Sequence, residues 1–179
     1  GRVNLIGEHT DYNLGFVLPA AVDKEIFFAL SSSADDQAHL HAVDLNESIS
    51  FNPQDFQKSE KGWPNYGLGV IDQLRQRGHI IPAFSCVFGG NIPQGAGMSS
   101  SAALECGLAL GLNELFNLGI DKIELVKLSQ RAENEFVGMN CGIMDQFASV
   151  FGKSRQALKL DCRSLEYQYY PADIAGHKI

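Results

Sequence analysis

The sequence has no uninterrupted apolar run of 18 residues, which excludes a membrane-spanning helix of ordinary length. Basic residues are scarce too, since 14 Lys and Arg stand against 21 Asp and Glu, for a net charge of −7. A protein that binds nucleic acid through a basic face shows the opposite balance. We therefore expect no nucleic-acid partner and no membrane partner. A phosphate ligand would have to be held by local groups, because no broad positive field is available.

Cysteine pairs at metal or redox spacing are also missing. The four cysteines are far apart, with no CxxC motif and no Cys/His spacing typical of zinc: Cys86, Cys106, Cys141 and Cys162. A chain of this length can bury a sizeable core and does not need disulfides to hold it. We therefore expect free thiols and a cytoplasmic protein.

The residues that are present are typical of one globular domain. Hydrophobic residues make up 45% of the chain and charged residues 20%. Alternating strand patterns are mixed with helical spacing of leucines, which predicts an α+β domain with packed helices on a mixed β-sheet, or α/β if the strands are parallel. We expect helices at 64–76, 99–116, 122–137 and 145–151. We expect strands at 2–6, 25–31, 39–45, 48–51, 84–88, 157–161 and 166–170.

Both ends of the chain lie inside predicted structure. The first residue, Gly1, is not an initiator Met and already belongs to a strand pattern, and residues 176–179 begin another strand. We therefore expect a domain that is truncated at both ends.

A glycine- and serine-rich segment lies between a predicted strand and a predicted helix. It reads Gly95-Ala96-Gly97-Met98-Ser99-Ser100-Ser101-Ala102. Glycines let the backbone approach an anion, and the start of a helix offers free N–H groups. Helix capping by one serine is the alternative, although no capping box follows any of the three serines. The segment has no P-loop lysine, and Ser100 stands where a dinucleotide fingerprint needs glycine, so it favours a phosphate site of another kind.

A second polar cluster follows the first predicted strand, in which Arg2 and Asn4 share one face. It reads Gly7-Glu8-His9-Thr10-Asp11-Tyr12-Asn13. Carboxylates and histidine can hydrogen-bond the hydroxyls of a polyhydroxylated ligand. A solvated turn, in which Asp11 or Asn13 bonds the local backbone, explains the composition equally well.

Two acidic residues in the third cluster are candidates for chemistry. Glu133 lies seven residues after Val126 on a predicted helix, which points its side chain toward the protein interior. A buried carboxylate needs a partner, and a metal ion would serve. Asp145 precedes a short apolar helix, and its local context favours a helix N-cap.

Together, these clusters resemble segments of the galactokinases, which belong to the wider GHMP kinase family. The galactokinase signature is resembled by Gly1-Arg2-Val3-Asn4-Leu5-Ile6-Gly7-Glu8-His9-Thr10-Asp11-Tyr12-Asn13. The family's ATP motif is resembled by Pro93-Gln94-Gly95-Ala96-Gly97-Met98-Ser99-Ser100-Ser101-Ala102-Ala103. A third galactokinase segment is resembled by Cys141-Gly142-Ile143-Met144-Asp145-Gln146. The order and rough spacing agree, and the resemblance spans nearly the whole chain.

The resemblance implies phosphorylation of the anomeric (C1) hydroxyl of galactose by ATP and Mg²⁺, the first committed step of galactose catabolism. It implies sugar contacts by Glu8, His9, Asp11, Gly142 and Asp145, and Mg²⁺ ligation by Ser101 and Glu133. It implies triphosphate contacts by Gly95, Ala96, Gly97, Met98, Ser99, Ser100 and Ser101. Asp145 would be the catalytic base, or would chiefly orient the hydroxyl, and Arg2 would be the cation beside it.

The family's second domain and a further glycine-rich motif are not in this chain. We therefore expect residues 1–179 to be an N-terminal GHMP-kinase domain that is inactive or nearly so alone, from a protein that is monomeric at full length. Two alternatives stay open: a kinase for N-acetylgalactosamine or another hexose, and a sensor that binds galactose and ATP without catalysis. Trp63 and Tyr66 are candidates for the lining of an adenine or sugar pocket.

Overall fold

A computed structural model describes residues 1–93 and 95–172, so Gln94 and the strand predicted at 176–179 lie outside the described residues. Nine strands and four α-helices form within those two ranges. The strands are β1 (Arg2–Asn4), β2 (Phe16–Val17), β3 (Pro19–Ala21), β4 (Ile26–Ser32), β5 (Ala38–Ala42), β6 (Glu47–Phe51), β7 (Phe84–Gly90), β8 (Gln156–Asp161) and β9 (Tyr167–Pro171). The helices are α1 (Pro64–Gln76), α2 (Ser100–Phe116), α3 (Lys122–Arg131) and α4 (Met144–Phe151).

The strands form two sheets. In the four-stranded sheet the order is β4-β7-β5-β6, with β5 and β7 parallel and the other pairs antiparallel. In the five-stranded sheet β8 pairs with β9, β2 and β3, and β1 pairs with β3; all of these pairs are antiparallel. Antiparallel pairing dominates the described strands, so the predicted α+β class with a mixed sheet is confirmed.

Helix α2 packs closely on strand β4. A Cβ atom at Gly107 would overlap the ring of Phe28, and one at Gly111 would press on Leu30, so glycine permits the close approach. This contact belongs to the larger hydrophobic core, between the four-stranded sheet and helices α1, α2 and α3. Its fully buried side chains include Leu40, Ile71, Leu74, Phe84, Leu112, Leu125 and Leu128.

A smaller core brings α4 against the five-stranded sheet. Buried side chains from α4, the sheet and α3 meet there: Val17, Val126, Phe147, Leu158 and Leu160. Because β1 belongs to this sheet and α4 packs on it, the start of α4 lies beside the polar face of β1. Helix α2 also packs on α4, which brings the glycine- and serine-rich segment to the same place. The candidate site lies where these three elements meet.

The predicted helix 64–76 is confirmed at both ends, and Pro64 at its first turn and Gly78 after it explain why. The predicted helix 122–137 is helical over those bounds, but α3 ends at Arg131 and the remaining residues, Ala132–Val137, are π-helical. The predicted strand 39–45 is too long, because β5 ends at Ala42 and a 3₁₀ turn, Val43–Leu45, follows. No helix in the described part of the chain is long and apolar enough to cross a membrane.

Candidate active site

An ion pair between Arg2 and Asp145 lies at the centre of the candidate site. The guanidinium donates from Nε to Oδ1 and from Nη2 to Oδ2, each over 2.6 Å, so both oxygens of the carboxylate are bound. The partners are 143 residues apart in sequence, one in β1 and the other in the first turn of α4. Their side chains are 14% and 25% exposed. Such a two-point contact is directional and fixes the plane of the carboxylate.

The N-cap interpretation of Asp145 is wrong. Ile143 holds the N-cap position of α4, and Asp145 lies inside the first turn. Its carboxylate binds Arg2 and accepts a hydrogen bond from the Ser99 hydroxyl at 2.5 Å. The local sequence could not predict the role of Asp145, because its partners come from distant parts of the chain.

The glycine- and serine-rich segment folds around the same ion pair. Arg2 Nη1 donates to the carbonyl of Gly97 at 2.7 Å, and the backbone N–H of Arg2 donates to the carbonyl of Met98. Gly97 has a φ of 67°, in the left-handed region that glycine adopts without strain. The segment is therefore attached to the side chain that also binds Asp145.

A recess of about 250 Å³ lies over this segment, at the start of α2. Its walls come from the ion pair and the segment itself: Arg2, Pro93, Gly95, Ala96, Gly97, Met98, Ser99, Ser100, Ser101 and Asp145. The first N–H groups of a helix have no partners within the helix, and they carry the positive end of its dipole. A recess at this position is suited to an anion, and a phosphate group has the required charge and size.

A larger cavity of about 960 Å³ adjoins the recess and shares Pro93, Ser100 and Ser101 with it. Its lining is mainly apolar and includes Trp63, Tyr66, Phe88, Leu104 and Val137, with Lys58, Asp44 and Asn91 among its polar residues. A mainly apolar cleft next to an anion recess is the shape that a molecule with a flat base and a charged tail requires. The sequence indicated Trp63 and Tyr66 as lining residues but not the rest, since these come from many separate segments.

The second polar cluster contacts the site through Asn4 and Gly142. Asn4, two residues after Arg2 in β1, donates from Nδ2 to Glu8 Oε2 at 2.5 Å. The Asp11 carboxylate lies directly over Gly142, where a Cβ atom would overlap it. Gly142 precedes Asp145 by three residues, so Asp11 is close to the start of α4.

His9 is held within its own turn. It has a φ of 59°, and its Nδ1 atom is 2.6 Å from the hydroxyl of Tyr12. Within the described residues, no hydrogen bond joins Glu8, His9 or Asp11 directly to Asp145. The structure thus brings Asp11 to Gly142 and Arg2 to Asp145.

Behind the recess lies a buried group of acidic and amide side chains. Glu133, in the π-helical turn, is 7% exposed, and its Oε2 accepts a hydrogen bond from Gln146 Nε2 at 2.8 Å. The same Gln146 nitrogen is 3.5 Å from Glu105 Oε2. The Cys141 thiol also donates to Glu133, and burial together with the charge of Glu133 raises the pKa of that thiol. The expected burial of Glu133 is confirmed.

The sequence analysis did not identify Glu105 as a member of this buried group. Its side chain is fully buried in α2, and burial, followed by the negative charge of Glu133, raises the pKa of Glu105 to about 10. Glu105 is therefore protonated at neutral pH. The available signal was one acidic residue inside the apolar stretch 102–112. Gln146, also missed, is adjacent to Asp145 and fully buried.

The proposed magnesium ligands, Ser101 and Glu133, offer oxygen atoms, which Mg²⁺ prefers. Within the described ranges, no three His, Cys, Asp or Glu side chains group together as a metal site. Mg²⁺ commonly takes only one or two protein carboxylates and completes its shell with substrate phosphates and water. Ser101 lines both the recess and the cavity, so its hydroxyl can reach a ligand in either space. The carboxylate of Glu133 is an oxygen donor of the kind that Mg²⁺ takes, so the chemistry of the two side chains fits that role.

Family models match most of the chain. The model described as GHMP kinases N terminal domain matches residues 65–153, and the galactokinase galactose-binding signature matches residues 1–32. These stretches contain the glycine- and serine-rich segment, Asp145, Arg2 and the second polar cluster. The chain belongs to the GHMP kinase family.

Within that family, the chain is similar to galactokinases. It is 46% identical to the galactokinase of Clostridium tetani and 44% identical to that of Thermotoga maritima, covering all of this chain and 46% and 50% of those proteins. The galactokinase of Lactococcus lactis, solved with galactose, superposes with a TM-score of 0.91 at 39% identity, over 97% of this chain and 46% of that one. The chain thus spans about half the length of the relatives it matches.

More distant structures share the fold alone. The mevalonate kinase of Methanococcus jannaschii superposes with a TM-score of 0.79 at 20% identity, over 97% of this chain and 54% of that one. The fold is therefore common to kinases that act on different substrates, and substrate choice must be argued from the side chains of the site.

Proposed function

We propose that the protein containing this chain transfers the γ-phosphoryl group of ATP to the C1 hydroxyl of galactose, giving galactose 1-phosphate and ADP. The observation that carries this proposal is the position of Asp145. Its carboxylate is bound by Arg2 and Ser99 at the edge of the anion recess, close to the Gly142 backbone and its neighbour Asp11. A carboxylate between a polar cluster and a phosphate recess can meet a sugar hydroxyl and a phosphoryl group together.

ATP binds with its triphosphate in the recess and its nucleoside in the adjoining cavity. The shared residues Pro93, Ser100 and Ser101 make one continuous surface for such a ligand. Backbone N–H groups at the start of α2 and the glycine- and serine-rich segment hold the phosphates, and the aromatic rings of Trp63, Tyr66 and Phe88 surround the base. Ser101 and Glu133 would hold Mg²⁺, which would offset phosphate charge when bound.

Galactose binds between the second polar cluster and Asp145, through Glu8, His9, Asp11 and the Gly142 backbone. In the reaction, the C1 hydroxyl gives its proton to Asp145 as its oxygen bonds the γ-phosphorus, and the bond to ADP breaks. Arg2 holds the carboxylate in position and lies close enough to stabilise charge on the transferred group. Phosphoryl transfer depends mainly on such positioning and charge stabilisation.

This chain is the N-terminal domain of that kinase, and it is inactive or nearly so without the rest of the protein. We place the complete protein in the cytoplasm as a monomer, a location supported by the four cysteines of this chain, which are all within the described residues and are free thiols.

The test is an ADP-release assay on the complete protein with galactose, N-acetylgalactosamine and glucose, each with MgATP. Galactose-dependent ADP release, with the other sugars much slower, supports the proposal. Preference for N-acetylgalactosamine would identify the related kinase, and calorimetric binding of galactose and ATP without turnover would identify a sensor.

The role of Asp145 has a separate test in the same protein. Asp145→Asn should lower kcat by at least about 10²-fold, while ATP still binds, because the amide cannot accept the proton. Asp121→Asn, a matched change at the N-cap of α3, should leave kcat unchanged since asparagine caps a helix equally well. Near-normal turnover by Asp145→Asn would defeat the assignment.

A further inference from the structure

The hydroxyl of Ser99 forms a hydrogen bond with Asp145 and does not cap α2, the helix that Ser99 precedes. Ser99 holds the N-cap position of α2, where a serine side chain ordinarily accepts a hydrogen bond from an N–H group of the first turn. Ser99 accepts no such bond from α2, all of which lies within the described residues. Its hydroxyl instead donates to Asp145 Oδ2 at 2.5 Å, across 46 residues of sequence.

The backbone of Ser99 explains this direction. Its φ and ψ angles are 58° and 52°, in the left-handed region, whereas a capping serine is normally extended. Residues with a Cβ atom rarely adopt the left-handed region, and they keep it only where the surroundings impose it. Glycine would adopt it freely and is present nearby at Gly95 and Gly97 with similar φ angles. A serine at this position therefore contributes something that glycine lacks, a hydroxyl directed at the carboxylate.

The donors around Asp145 are divided unequally between its two oxygens. Oδ2 accepts from Ser99 Oγ and Arg2 Nη2, whereas Oδ1 accepts from Arg2 Nε. A carboxylate oxygen has two lone pairs in the plane of the group. Oδ2 is thus saturated by side chains, and Oδ1 keeps one lone pair for a further donor. A sugar hydroxyl is such a donor.

We propose that Ser99 is a positioning residue for the acceptor site: its hydroxyl fixes Oδ2 of Asp145, so that Oδ1 is the oxygen presented to the C1 hydroxyl. The inference rests on the proposed function, in which Asp145 receives that hydroxyl. The Ser99 side chain therefore acts on the side of the sugar acceptor. The triphosphate is bound by the backbone of the glycine- and serine-rich segment and by the other serines.

The first test compares Ser99→Gly with the wild-type complete protein. Glycine removes the hydroxyl but suits the left-handed backbone, so folding should be preserved. We expect kcat at saturating galactose and ATP to fall about 10- to 100-fold, as when a reacting group is misplaced by up to an ångström. The KM for ATP should change by less than about 3-fold, and so should the calorimetric affinity for a non-hydrolysable ATP analogue. Both changes are smaller than a tenfold change in binding.

Two further variants separate the hydroxyl from the backbone. Ser99→Asn should recover part of the lost kcat, because asparagine tolerates the left-handed region and its amide N–H can donate to a carboxylate. Asn117→Gly is the matched control, since Asn117 has a φ of 51° at the opposite end of α2, and kcat should be unchanged there. If Ser99→Gly does not fold, Ser99→Ala and Ser99→Asn provide the same comparison.

A double-mutant cycle tests whether Ser99 acts through Asp145. In the Asp145→Asn background, Ser99→Gly should lower kcat by less than about 2-fold, because residues that act as one unit are not additive. Multiplicative losses, or a raised KM for ATP with normal kcat in Ser99→Gly, would overturn the inference and make Ser99 a nucleotide ligand. A wild-type protein without galactose phosphorylation would defeat the proposed function instead, so the two failures are distinguishable.

Discussion

Replacing Glu105 by glutamine should change how stability depends on pH. The carboxyl group is fully buried in α2, 3.5 Å from the Gln146 amide nitrogen and next to the charge of Glu133. Burial and that charge raise its pKa from 4.5 to about 10. Glutamine has nearly the same shape as the protonated carboxyl group but does not titrate.

The direction follows from the protons bound in each state. Between pH 4.5 and 10 the folded protein keeps a proton on Glu105 that the unfolded chain has lost. The contribution of Glu105 to stability is therefore complete below pH 4.5 and disappears as the pH rises toward 10. The wild-type free energy of unfolding should fall, relative to Glu105→Gln, by about 1.4 kcal/mol for each pH unit, or about 4 kcal/mol between pH 5 and pH 8.

The assay is denaturant unfolding of the complete protein at several pH values from 5 to 8, with EDTA present so that no metal ion binds Glu133. Glu114→Gln, at an exposed glutamate on the same helix, controls for the loss of one acidic side chain. A difference between wild type and Glu105→Gln that stays constant across this range would refute the reasoning. Greater stability of the wild type at pH 8 would refute it as well.

Two further predictions concern the sugar side of the site and the start of α3. Gly142→Ala should lower kcat/KM for galactose about 10²-fold and leave the KM for ATP nearly unchanged, because its Cβ atom would displace the Asp11 carboxylate. Steady-state kinetics with either substrate varied would check this, and an unchanged kcat/KM for galactose would contradict it. Asp121→Ala should lower the free energy of unfolding by about 1 kcal/mol with kcat unchanged, because Asp121 accepts a hydrogen bond from the Glu124 N–H at the start of α3. Denaturant unfolding would measure this change. Equal stability of the variant and the wild type would show that this cap is dispensable.

The elements that the sequence predicted well are those with local signals. Proline at the first turn defines α1, and Asp121 with Glu124 defines the start of α3. Strands β2 and β3 were missed because they are short and lie in an almost continuous apolar stretch, 14–22, that shows no alternation. The change from α-helix to π-helix at Ala132 was missed because the π-helical turn keeps the helical spacing of apolar residues while shifting the hydrogen bonds.

The features of the candidate site also differ in whether a local sequence signal predicts them. The glycine- and serine-rich segment could be identified as a candidate anion site because its backbone chemistry is local. The partner of Asp145 could not be derived from spacing, since Arg2 lies 143 residues away. The burial of Glu105 and the direction of the Ser99 hydroxyl depend on packing between helices and on a left-handed backbone, and neither leaves a periodic pattern.

The most direct test of the central claim is a crystal structure of the complete protein with galactose and a non-hydrolysable ATP analogue. We expect the C1 hydroxyl within about 2.6–3.2 Å of Asp145 Oδ1, the γ-phosphate at the start of α2, and Arg2 still bound to Asp145. Galactose bound away from Asp145, or a triphosphate that avoids the glycine- and serine-rich segment, would contradict it.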